Sequence, residues 1–117
     1  MESRVVKDEF QNRFGISSEK AIKYIKDFFA VNLTNFKLTD EYDEGMYYGT
    51  TYEYEKNILK INSGRGYLEL DINLKGKEYY LFDYYKINVD YIIVNENNLD
   101  IIFKLLKDFL KAQKIID

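Results

Sequence analysis

Hydrophobic positions along the chain repeat with two different periods, and the change between them divides the sequence into helical and extended parts. Val6, Phe10 and Phe14 recur every four residues before Gly15, which predicts a short helix over 3–14 with Ser3 as its cap. Ala21, Ile22, Ile25, Phe28 and Phe29 form one stripe, which predicts a second helix over 17–31. Ser17 or Ser18 caps it, and Glu19 sits in a first turn where the helix dipole favours negative charge. From 36 to 94 the period falls to two. Leu68, Leu70, Ile72 and Leu74 alternate with Glu69, Asp71 and Asn73, the pattern of a half-buried strand.

Strands are also expected at 46–54, 58–62 and 78–84, with short additions at 36–39 and 91–94. The first two pair across Glu55, Lys56 and Asn57. Ser63, Gly64, Arg65 and Gly66 form the next hairpin, and Lys75 with Gly76 the one after it. Past this region Leu99, Ile102, Phe103, Leu106, Phe109 and Leu110 hold helical spacing, widened by Ile101 and Leu105, behind a cap at Asn97 or Asn98. Lys104, Lys107, Lys111 and Lys114 line the exposed side of this last helix. The expected fold class is α+β: one domain over 1–117, an antiparallel meander of four to six strands with N-terminal helices and a C-terminal helix on one face.

Composition then narrows the chemistry. The 117 residues include no Cys, His, Trp or Pro, but 12 Tyr and 8 Phe. Without Cys or His there is no thiolate nucleophile, no imidazole base, no disulfide framework and no ordinary zinc site. An enzyme is therefore not expected, and neither is a cofactor or metal. No run approaches the ~20 apolar residues of a membrane span, and residues 1–9 carry acids and no apolar core of a signal peptide, so the expected location is the cytoplasm. Phe, Tyr, Met, Ile, Asn and Lys make up 59 of the 117 residues. Their codons are A/T-rich, which fits a low-GC bacterial or mobile gene.

The net charge of -3 conceals an uneven distribution. Residues 39–55 contain Asp40, Glu41, Asp43, Glu44, Glu53 and Glu55 with no Lys or Arg, so this stretch carries -6 and the remainder +3. It also holds Tyr42, Tyr47, Tyr48, Tyr52 and Tyr54. The plain reading is a solvated acidic loop beside tyrosines that pack the sheet. The functional reading is a protein-binding surface: carboxylates steer a basic partner, and tyrosines supply stiff, amphipathic contact area. On that reading the site comprises Asp40, Glu41, Asp43, Glu44, Glu53 and Glu55 as steering charges and Tyr47, Tyr48, Tyr52 and Tyr54 as anchors.

Other chemistries fit less well. Asp40 to Gly45 has the outline of a calcium loop, with Gly45 sixth from Asp40, but Tyr42 and Thr51 occupy the third and twelfth positions, where a carboxylate pair is needed. Paired carboxylates for glycoside cleavage lack a visible cleft. Base stacking on the tyrosines would bring phosphates against six acids, so nucleic acid is not an expected partner. Gly64-Arg65-Gly66 is a turn and not a phosphate cradle. A second aromatic run, Tyr79 to Tyr85, read as a strand, puts Tyr79, Leu81, Asp83 and Tyr85 on one face and Tyr80, Phe82 and Tyr84 on the other. If exposed, it offers an alternative function as a small-ligand-binding or homo-oligomeric assembly domain using the open sheet face.

The overall profile resembles the small acidic immunity proteins that bacteria carry beside polymorphic or contact-dependent toxins. The resemblance rests on single-domain size, A/T-rich composition, the missing catalytic residue types and the acidic, aromatic stretch from Asp40 to Glu55. It implies a non-enzymatic protein that binds one cognate toxin domain, often a basic nuclease, and masks its active site or an adjoining surface.

Overall fold

The computed structural model describes residues 15–87 and 92–117. The helix expected over 3–14 lies outside them, as does Tyr91. Helix α1 (Ser18–Asn32) starts where Ser17 accepts a hydrogen bond from the Lys20 N–H at 3.2 Å. Five antiparallel strands follow in meander order: β1 (Lys37–Asp43), β2 (Tyr47–Tyr54), β3 (Asn57–Gly64), β4 (Tyr67–Leu74) and β5 (Lys77–Tyr79). A short helix α2 (Leu81–Tyr84) leads toward α3 (Glu96–Ala112). The α+β class and the meander are as the hydrophobic pattern predicts.

Strand register decides which residues meet the helices. Tyr52 lies opposite Leu59, and Leu59 opposite Ile72; Thr50 lies opposite Ile61, and Tyr48 opposite Ser63. Side chains alternate along each strand, so Tyr48, Thr50, Tyr52 and Tyr54 share the helix side with Leu59, Ile61, Leu68 and Ile72. Helices α1 and α3 cover that side. Phe29 of α1 meets Tyr52 below it and Phe103 of α3 beside it, and Phe109 of α3 meets Tyr79 of β5. Lys107 donates to Asn32 at 3.0 Å, and the Tyr24 hydroxyl to Asp100, joining the two helices at their edges.

Three local expectations need correction. The run at 78–84 is not a strand: β5 stops at Tyr79, and Leu81–Tyr84 turns as a helix with Leu81 buried and Tyr79 packed on Phe109. The cap of α3 is Asn95, whose side chain accepts from the Asn98 N–H at 2.8 Å; Asn98 itself is buried and donates to the Ile93 carbonyl at 2.9 Å. In place of a strand at 91–94, Ile93 forms a single bridge to Tyr67. This bridge and the bond from Ile16 N–H to Val94 O (2.9 Å) hold the start of the described chain against the β3–β4 turn. Gly15 sits there with φ +80°, and a Cβ would collide with the Val94 carbonyl at 2.5 Å, so only glycine fits the approach.

Candidate functional site

The acidic stretch is not a loop. Residues Lys37–Asp43 form edge strand β1, exposed along its whole length, and Gly45 and Met46 turn it into β2. Its apolar alternation is missing because neither face is buried, which is why only 36–39 reads as extended in the sequence. The turn is fixed locally. Asp43 accepts the Gly45 N–H at 2.9 Å, Glu44 N–H donates to the Tyr47 carbonyl at 2.8 Å, and Gly45 takes φ +80°.

A bulge between Leu38 and Asp40 divides the acids between two faces. Leu38 pairs with Tyr52 but Asp40 with Thr51, so Thr39 is the extra residue and both Thr39 and Asp40 lie on the outer face. Beyond the bulge Glu41 and Asp43 point to the helix side. There Lys26 of α1 contacts Glu41 at 2.9 Å, and the Ser18 hydroxyl donates to Asp43 at 3.0 Å. These two acids dock α1 to the sheet edge. Asp40 and Tyr42 face outward together with Glu53, which accepts from the Thr39 hydroxyl at 2.8 Å. Glu44 and Glu55 lie in the turns at opposite ends of β2.

Two of the four proposed tyrosine anchors are core residues. Tyr48 is 4% exposed and Tyr52 5%, because period-two alternation puts both on the helix side. Burial, reinforced by the Glu41 charge, pushes the Tyr52 hydroxyl up to about 12. Tyr54 is half-buried against Phe36, ring centroids 5.5 Å apart. Tyr47, 45% exposed, is the anchor that remains open. Tyr42, outside the set of anchors expected from the sequence, is open as well. It is 39% exposed, and its ring lies over Gly49, whose Cβ would come within 2.8 Å of Tyr42 Cε1. Tyr47 covers Gly64 in the same way, at 3.0 Å. The signal was present: Gly49 and Gly64 fall at strand positions where an absent side chain leaves room for a neighbouring ring.

The outer face thus gathers Asp40, Tyr42, Tyr47 and Glu53 with Glu69, Asp71 and Glu78 from β4 and β5, against Lys37 and Lys60. Five carboxylates against two lysines make it acidic. Burial raises the Tyr42 hydroxyl above the ordinary tyrosine range, with the charges of Glu69, Glu44 and Asp40 adding to the effect. The exposed members of the second aromatic run, Tyr80 and Tyr84, lie on and beside α2 and do not join this face.

Beside the β1–β2 turn lies a mainly apolar cavity of about 660 Å³, lined by Ile16, Met46, Tyr48 and Arg65 among others. Among the described residues no group of three or more carboxylates converges as a metal site, and no helix is long and apolar enough to cross a membrane. No family model matches the chain, and neither a curated protein nor a solved structure was found to match it.

Proposed function

We propose that this chain is a non-enzymatic binding protein of the immunity type, which neutralises a basic cognate toxin domain through the acidic side of its sheet. One observation carries the reading: β1 is exposed over its full length, and Glu69, Glu44 and Asp40 place their charges around the open ring of Tyr42. Carboxylates around an exposed, stiff aromatic ring suit capture of Lys and Arg side chains, through long-range attraction and cation–π contact. The site is narrower than the sequence implied. Tyr48 and Tyr52 support it from the core, Glu41 and Asp43 hold α1, and Asp40, Tyr42, Glu44, Tyr47 and Glu53 make the contact.

Co-expression with the product of the adjacent reading frame tests this. The neighbour should be toxic alone and harmless beside this chain, and the D40K/E44K variant should lose protection while remaining folded. A harmless neighbour, or full protection by the variant, contradicts the reading. A second reading, capture of a small apolar ligand, draws on the cavity beside Met46. A ligand-induced rise in melting temperature abolished by Met46→Asp would favour it.

A further inference from the structure

The β1 edge has a fixed pattern of unused backbone groups. Antiparallel pairs alternate between bonded and non-bonded, and the bond from Glu44 N–H to Tyr47 O marks Glu44–Tyr47 as a bonded pair. Counting back through the register, Asp43–Tyr48 is non-bonded, Tyr42–Gly49 bonded, Glu41–Thr50 non-bonded and Asp40–Thr51 bonded. The N–H and C=O groups of Glu41 and Asp43 therefore point away from the sheet. No described strand lies beyond them, since β1 is the outermost in the order.

We infer that residues 40–43 of β1 receive one strand of the partner by β-augmentation, the partner strand bearing Lys or Arg on the side continuous with the outer face. This rests on the basic-partner reading and specifies how contact is made. The added strand would bond to Glu41 and Asp43 through its main chain. Its basic side chains would stand beside Asp40 and the Tyr42 ring, where opposite charge and cation–π attraction act together. Charge selects the occupant. A second copy would bring Asp40, Glu41 and Asp43 against their own kind, and the bulge at Thr39 further blocks extended self-pairing. A cationic strand meets no such repulsion.

The test is amide hydrogen exchange on the full chain, with a capped heptapeptide of alternating Lys and Val as probe. In the protein alone Asp40 and Tyr42 amides should exchange slowly and Glu41 and Asp43 amides fast. Saturating peptide should slow Glu41 and Asp43 at least tenfold. A peptide of identical charge, N-methylated at alternate residues, should not. Unchanged exchange at Glu41 and Asp43 while the peptide shifts Glu69 and Asp71 resonances overturns the edge inference and leaves the basic-partner reading standing. Equal protection by both peptides, or no binding by either, also overturns it, and the parent reading is then judged by D40K/E44K, which leaves those amides in place. Protection of the two amides by the protein's own concentration, with dimers in sedimentation, overturns the choice of a cationic partner strand.

Discussion

The Tyr52 ring lies flat on Phe29, centroids 3.7 Å apart and planes 8° from parallel. This stack ties the strand that supports the candidate site to the helix behind it. Phe29 also meets Phe36 and Phe103, so the acidic edge stands directly on the aromatic centre of the core. Truncating Tyr52 to Ala should therefore cost about 3–5 kcal/mol, a large part of the ~5–15 kcal/mol that holds a domain of this kind together. Tyr52→Phe, which keeps the ring, should cost about 1 kcal/mol or less. Chemical denaturation of both variants checks the pair.

Alkaline stability follows from the same residue. An unfolded Tyr ionises near pH 10, whereas folded Tyr52 holds its proton to about 12. Between those values the folded state binds more protons, so stability falls as pH rises. Tyr24, raised further by burial and by its hydrogen bond to Asp100, acts in the same direction. Below pH 10 neither contributes a pH dependence. The melting temperature should decline across pH 10–12 by less in Tyr52→Phe than in the parent chain.

Thr50 offers a gain. Its hydroxyl is buried among Tyr48, Ile61 and Ser63 neighbours on the helix side, and among the described residues it makes no hydrogen bond. An unpaired buried hydroxyl costs about 1–3 kcal/mol, and valine has the same shape without it. Thr50→Val should raise stability by about 1 kcal/mol, read as a higher denaturation midpoint with an unchanged slope.

The start of α3 separates two of its asparagines by role. Asn95→Ala removes the cap and should cost about 1 kcal/mol. Asn97, exposed in the first turn, should change stability by less than about 0.5 kcal/mol when replaced by Ala. Thermal unfolding of the two variants distinguishes them.

The same contrast marks where the sequence was legible. The apolar faces of α1 and α3 announce themselves by spacing, and β4 by strict alternation, because one side of each is buried. The cap of α3 does not: Asn95, Asn97 and Asn98 are all suitable residue types, and a single hydrogen bond selects one. Strand β1 is hidden for the opposite reason, having no buried side to impose a pattern on Lys37–Asp43. Its acidic character was plain; its division by the Thr39 bulge into Glu41 and Asp43 on α1 and Asp40 and Tyr42 outside was not, since that depends on register. The alternation Tyr48, Thr50, Tyr52, Tyr54 does place these residues on one face, and it is the neighbouring buried strands that make this the core face. At Tyr79–Tyr85 aromatic residues favour a strand locally, while packing of Leu81 and Tyr79 beneath α3 turns the chain instead.

The most direct measurement is the association rate constant between this chain and the adjacent reading frame's product, taken against ionic strength for the parent and D40K/E44K. Electrostatic capture by the outer face predicts a rate that falls steeply with salt, at least tenfold slower association for the variant at low salt, and rates that converge at high salt. An association rate indifferent to both salt and the reversal of Asp40 and Glu44 would contradict it.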